Sequence, residues 1–297
     1  MKTIEDRRTV DWSQLLHDAV TQPGLISQAY SLFWHYSIGN QLLALWQCMR
    51  RKLEPGPIHT YRGWLKLGRQ VRKGEKALTL VMPVTRKRKR HEDQPNGALA
   101  ESDPTAHSCF PSSEIAYTIF LERPYWFVLS QTDGPPVPAT VVPDWDESMA
   151  LEQLQVVKVP FRHADGNCQG YATAREVAVS PIAFMPHRTL FHEVAHVVLD
   201  HTVNAVNWAD FGEALPRSTM EVEAESVALI CCSALGLPGA EFSRGYIQRW
   251  IDGNTIAPDS VHRIFRGADR ILRSGRPAEA SVEPPAEAGG EANTPAA

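Results

Sequence analysis

PHRTLFHEVAHVVLDH (186–201) holds two histidines four residues apart, His192 and His196, with Glu193 immediately after the first. On a helix, residues four apart stand one above the other on the same face, so both imidazoles can reach one metal ion. Glu193 is turned about 100° away and is placed to act on a water rather than on the ion itself. Leu190, Phe191, Val194, Val197, Val198 and Leu199 supply an apolar body for that helix, and Pro186 suits its first turn. In a chain with 11 His the spacing alone arises by chance too readily to decide the matter.

A second helix gives it weight. TMEVEAESVALICCSAL (219–235) sets Glu221 and Glu225 one turn apart on an otherwise apolar surface. A site with two His on one helix needs a third ligand from elsewhere and an open position for solvent. Glu221 is the expected third ligand. Glu225, one turn deeper, is expected to accept the outer N–H of a ligand His and fix its tautomer. Glu223 points away from both and reads as solvated. The rival third ligand is His201. However, the long pattern with a turn Gly and a third His has Leu199 and Thr202 at those positions, so His201 reads as a C-terminal helix cation or a substrate-side group.

Composition places the chain among ordinary globular proteins, with 43% hydrophobic and 22% charged residues. Its formal charge of −4 conceals an asymmetry: from Arg50 to Arg90 there are 14 Lys or Arg against two acids, a net of +12. Such a half suits a polyanion. The N-terminal MKTIEDRRTVDW has no apolar core of a secretory signal, and no apolar run approaches the ~18 residues a bilayer requires. Cys48, Cys109, Cys168, Cys231 and Cys232 form no C-x-x-C pair. A cytoplasmic protein with reduced thiols and no membrane partner is expected.

Along the chain, apolar periodicity predicts helices over 11–20, 23–34 and 38–51, the last capped by Ser37, and a short helix over 61–67 ended by Gly68. Strands are expected over 77–84, 115–121 and 125–130, with a polar loop insertion over 91–113. The Pro-rich 134–143 reads as a linker. Beyond it come strands over 155–159 and 170–180, the metal-binding pair of helices, and further helices over 242–250 and 258–272. The expected class is α+β: an α+β domain over 1–143, a mostly helical domain with a small sheet over 144–275, and a disordered tail over 276–297.

In the basic half, Lys and Arg interleave with aromatics, the combination that binds single-stranded nucleic acid through phosphate contacts and base stacking. The candidate contacts are Tyr36, Ser37, Asn40, Gln41, Arg62, Trp64, Lys66, Arg69, Arg72 and Lys73. The Arg86–Arg90 run, RKRKR, adds non-specific affinity.

With both halves in view, the chain resembles the ArdC family of plasmid-borne antirestriction proteins. The resemblance rests on HYSIGNQLLALWQ (35–47), YRGWLKLGRQVRKGEKALTLVMPV (61–84), FVLSQTDGPPVP (127–138), RTLFHEVAHVVL (188–199), EVEAESVALICCSALGL (221–237) and YIQRWIDG (246–253) with the helix after it. It implies an N-terminal single-stranded-DNA-binding domain and a C-terminal zincin-like metallopeptidase domain. His192 and His196 would be zinc ligands, Glu193 the catalytic base, and an acid of the second helix, best matched by Glu221, the third ligand. One Zn2+ per chain and a protein substrate on or near DNA follow from it. The alternative is a DNA-coating antirestriction protein whose metal site is structural or nearly inactive. The oxyanion donor stays open among His201, Tyr246 and His262.

Overall fold

Three helices begin the chain: α1 (Trp12–Thr21), α2 (Leu25–Phe33) and α3 (Ile38–Arg51). The structure is a computed structural model and describes residues 10–89, 114–139, 141–163, 167–202, 215–251 and 254–277. The expected 91–113 insertion and nearly all of the 276–297 tail lie outside these residues. Asp11 caps α1 by accepting from Gln14 N at 3.0 Å. Ser37 occupies the N-cap of α3 as expected, but its side chain makes no capping bond. Instead the first N–H of the helix, on Ile38, donates to Asp269 Oδ1 at 3.3 Å, an acid from the far end of the chain.

Next come β1 (Ile58–Thr60), α4 (Tyr61–Lys66), β2 (Gln70–Val71), β3 (Leu78–Lys89), β4 (Glu114–Val128) and β5 (Thr132–Asp133). One antiparallel sheet has the order β1-β4-β3, and β2 pairs with β5 in a separate ribbon. Two expected strands over 115–121 and 125–130 are in fact one. Tyr125 is accommodated as a bulge where the partner of Leu78 is Trp126 and that of Thr79 is Pro124. Pro124 is tolerated because β1 pairs only with Trp126–Val128, so at Pro124 the strand has β3 alone for a neighbour. The Arg86–Lys89 part of the basic run belongs to β3, paired with Glu114–Tyr117 in a two-stranded arm.

The free edge of β3 is covered by α3 through side-chain amides. Asn40 Nδ2 donates to Val81 O at 2.8 Å while its Oδ1 accepts from Val81 N at 2.9 Å. Gln47 does the same for Thr79, at 2.8 and 2.9 Å. Two amides seven residues apart thus share a helix face and imitate a neighbouring strand.

The second half contains α5 (Glu147–Leu154), β6 (Val157–Lys158), β7 (Gly170–Thr173), β8 (Glu176–Val179) and α6 (Pro186–Val198). We number the remaining helices α7 (Arg217–Leu235), α8 (Ala240–Ile251) and α9 (Pro258–Ser274). The single strand expected over 170–180 is a hairpin, β7 antiparallel to β8, with β6 parallel on the other side of β8. The turn falls at Ala174, which adopts φ 45° without a glycine and so leaves no signal in the sequence. Helix α7 is the hub: Val222 to Cys232 are buried without a break, and α2, α6, α8 and α9 pack against it.

The expected boundary at 143/144 does not divide the apolar core, which runs from Leu15 in α1 through α3 and α7 to Leu272 in α9. Arg244 in α8 donates to the carbonyls of Ala19 and Val20 at the end of α1. Arg276, expected to open the disordered tail, is buried. Its guanidinium lies 4.5 Å from the Tyr30 ring and 4.9 Å from Trp34, and it donates to Trp34 O at 3.1 Å. Among the described residues, no helix is long and apolar enough to cross a membrane.

Replacing Asn40 with Leu strands both backbone groups of Val81 at the β3 edge, and a loss of about 1–3 kcal/mol is expected. The midpoint of urea denaturation measures it; an unchanged midpoint would show that Asn40 has no such structural task.

Candidate metal centre

Helix α6 starts with Pro186 at its first turn and carries His192 and His196 on the face turned to α7. The two Nε2 atoms approach to 3.1 Å, and Glu221 Oε2 lies 3.3 Å from the first and 3.7 Å from the second. Ligand atoms ~2.0–2.1 Å from a tetrahedral ion stand ~3.3–3.4 Å from one another. The three distances bracket that value, so the donor set fits a divalent ion. Among the described residues, His192, His196 and Glu221 form the group of potential ligands whose atoms converge within 4.8 Å.

Glu221 and Glu225 lie one turn apart on α7. Glu225 Oε2 accepts from His192 Nδ1 at 2.8 Å, which leaves Nε2 of that ring free for the ion. Glu225 is in turn fixed by Arg188, whose Nε donates to Glu225 Oε1 at 3.0 Å and to Ser243 Oγ at 3.1 Å. Arg188 and Ser243 carry no motif of their own and were not identified from the sequence. Their partners come from three different helices.

Glu223 is a correction. It is fully buried rather than solvated, with Oε2 3.0 Å from His201 Nε2 and 3.1 Å from Arg263 Nε. His201 is likewise neither a surface cation nor a substrate-side group: it is buried, with Nδ1 3.0 Å from His196 Nδ1. Over Val222–Cys232 the helix is buried without a break and has no solvated face to offer, so Glu223 turned inward needs these partners.

Electrostatics follow the contacts. Burial alone would lower His192, but the hydrogen bonds and charges of Glu221 and Glu225 outweigh it and raise the imidazole to about 9. Hydrogen bonds from His192 and His196 hold Glu221 far below the ordinary carboxylate range. Burial pushes Glu225 upward, yet His192 and Arg188 bring it down to about 2. Glu193 goes the other way, because burial disfavours its charge. It sits beneath Gly170 of β7. A Cβ there would lie 3.0 Å from Glu193 Cγ and 2.6 Å from Thr189 Cγ2, so only glycine lets the strand come this close to α6. Tyr246, half exposed on α8, has a phenol raised by burial and by the charges of Glu221 and Glu225. Of the other two oxyanion candidates, His201 is engaged by Glu223, and His262 is exposed and packs on Trp12 with ring centroids 5.8 Å apart.

The candidate nucleic-acid contacts divide by burial. Arg62, Lys66, Arg72 and Lys73 are exposed. Trp64 is fully buried and donates its indole N–H to Phe127 O at 2.8 Å, so it is a core residue and not a stacking platform. Arg69 is spent on Thr132 and Gly134, and Gln41 is buried on Tyr36 O at 2.7 Å. Tyr36 donates to Ile58 O at 3.0 Å, Asn40 braces β3, and Ser37 is half-buried at a helix start. What the sequence did not single out is a cleft of about 700 Å³ lined by Tyr61, Gln70, Arg72, Lys73, Phe127 and Asp133, with Tyr61 44% exposed at its edge.

An α+β chain whose helices bring two imidazoles and a carboxylate to one point, beside a basic N-terminal half, is a candidate metalloprotein. Residues 1–109 match the family model of the N-terminal domain of anti-restriction factor ArdC. Two similar solved structures are crystal structures of the antirestriction ArdC protein from the R388 plasmid. The metal-free form is 18% identical over 90% of this chain and 96% of that one, with a TM-score of 0.49. The Mn(II)-bound form is 19% identical with the same coverages and a TM-score of 0.46. No curated protein matches the chain.

With His192 raised to about 9, the metal-free site carries a proton at neutral pH that an ion must displace. Metal affinity should therefore rise with pH and level off near 9. Calorimetric titration at pH 7.5 in buffers of different ionisation enthalpy should show about one proton released per ion; zero release would contradict the His192 assignment.

Proposed function

We propose that this chain is a single-stranded-DNA-binding, zinc-dependent peptidase of the antirestriction type, acting in the cytoplasm on proteins at or near DNA. The observation that carries the reading is the convergence of His192, His196 and Glu221, with a buried Glu193 of raised pKa beside them. Two imidazoles and one carboxylate with room for solvent are the donor set of catalytic zinc sites. A divalent ion bound there supplies Lewis acidity towards a water and a peptide carbonyl.

The chain's own residues do the rest. Glu193, kept basic enough to accept a proton but uneasy as an anion, takes one from the attacking water and returns it to the leaving amine. Tyr246 stays protonated because its phenol is raised, and it can donate to the developing oxyanion. β7 is an edge strand, bonded to β8 on one side, and it runs against α6. Its outer edge can pair with an extended polypeptide. Ile182, Phe184 and Phe242 are exposed, with Phe184 and Phe242 in ring contact at 5.7 Å, and they give an apolar rim before α6 that suits the side chains of a protein substrate. Glu193→Gln should cut cleavage of a protein substrate by about 10²–10⁴-fold while metal content is kept. Intact cleavage in that variant would remove the peptidase reading.

For the DNA, the cleft beside α4 supports a strand path in which Tyr61 and Phe127 offer base-sized faces and Arg62, Lys66 and Lys73 meet phosphates, while Arg72 is held by Glu75 at 2.8 Å and Asp133 at 3.5 Å in the cleft wall. Arg50, stacked on Trp46 at 4.6 Å, extends the basic surface along α3. This cleft shares no residue with the metal centre. A DNA-coating protein that needs no cleavage is therefore the second reading, and protection of DNA by Glu193→Gln separates the two. Tyr61→Ala should cost about 1–3 kcal/mol of single-stranded-DNA affinity. Lys73→Ala should lower the salt slope by about one. Fluorescence anisotropy across a salt series reads both, and a slope near zero in the parent chain would defeat the charged-surface argument.

A further inference from the structure

A buried line of polar contacts leads away from the candidate metal centre through a residue that is not itself a candidate ligand. His196 Nδ1 is 3.0 Å from His201 Nδ1, and His201 Nε2 is 3.0 Å from Glu223 Oε2. Arg263 Nε donates to the same Oε2 at 3.1 Å, and its NH2 donates to Leu199 O at 2.9 Å, at the end of α6. The side chains of His201 and Glu223 are 3% and 0% exposed.

Only one arrangement of protons along this line leaves His196 able to bind an ion. Glu223, paired with Arg263, is a carboxylate and can only accept. His201 must then carry its proton on Nε2, which makes its Nδ1 an acceptor. That acceptor requires the His196 proton on Nδ1, and Nε2 of His196 is left with a lone pair facing His192 and Glu221. The reverse polarity would put a proton on the one atom of His196 that faces the ion. Each contact thus determines the next.

Resting on the metal-centre reading, we propose that His201 is a positioning residue that holds His196 in its metal-binding tautomer, with Glu223 as the anchor. Both ligand imidazoles are then oriented by carboxylates of α7: His192 directly by Glu225, His196 through a second imidazole by Glu223. The distinction between Glu223 and its neighbours is one of side. Glu221 and Glu225 face the ion and its first histidine, whereas Glu223 faces α9 and the loop after α6.

The test uses the full chain and measures Zn2+ affinity by competition with a chromophoric chelator, alongside the visible spectrum of the Co2+-loaded protein. His201→Leu removes both contacts, and affinity should fall by about 10–100-fold with an altered cobalt spectrum. His201→Gln offers an acceptor oxygen and a donor N–H in one side chain, so it should restore most of the affinity and the parent spectrum. His201→Leu that binds zinc as tightly as the parent overturns the proposal. So does His201→Gln that is as weak as His201→Leu while its metal-free melting temperature equals the parent's. Should His201→Leu fail to fold, histidine ¹⁵N NMR of the zinc-loaded parent decides: a proton on Nε2 of His201 supports the arrangement and one on Nδ1 overturns it. A parent chain that binds neither Zn2+ nor Co2+ defeats the metal-centre reading itself, a result distinct from tight binding that ignores His201.

Discussion

Three carboxylates on one apolar helix, two of them buried and the third half-buried, set the terms for the second half of this protein. Glu221, Glu223 and Glu225 lie within a stretch of α7 whose neighbours Val222, Ala224 and Val227 are fully buried. A buried, unpaired carboxylate is costly, so each must meet a cation or a hydrogen-bond donor. The partners come from the helices around it: His192, His196 and Arg188 from α6, Ser243 from α8, Arg263 from α9, and His201 from the turn after α6. Satisfying α7 and bringing His192, His196 and Glu221 to one point are one requirement.

Helix α9 serves both halves. One face sends Arg263 and Arg270 to the carbonyls of Leu199 and Val198, which close the end of α6. Another sends Asp269 to the first N–H of α3 and sets Phe265 against Trp12. The ends of α3 and α6 are therefore fixed by the same rigid element. With α2 packed directly on α7, the helices of the basic half and those of the metal centre share a continuous apolar core. The cleft lined by Tyr61, Arg72 and Lys73, by contrast, is built on α4 and the β2–β5 ribbon, away from that shared core.

Burial sorts the aromatic and basic residues of the first half. Trp64 and Arg69 sit in a sequence that looks uniformly suited to nucleic acid, yet the fold takes them inward. The indole fills the space behind β4 and bonds Phe127 O, while the guanidinium gathers the turn around Thr132 to Pro135. Tyr61, three residues before Trp64 on the same short helix, is left outside. Both are aromatic and both neighbour basic residues, so composition and spacing cannot tell them apart.

The sequence by itself determined what depends on local periodicity and chemistry. The helices around His192–His196 and Glu221–Glu225 follow from 3.6-residue spacing, which puts the two imidazoles on one face and Glu221 and Glu225 one turn apart. The hairpin hidden in 170–180 escaped it because Ala174 takes a positive φ without the glycine that usually marks one. The role of Glu223 escaped it because a one-dimensional pattern does not say that a helix is enclosed on every side. Which acid is solvated, which tryptophan is core and which histidine stands behind another are decided by neighbours distant in the chain. Burial and hydrogen-bond partners are properties of the packed molecule, and only the tertiary structure supplied them.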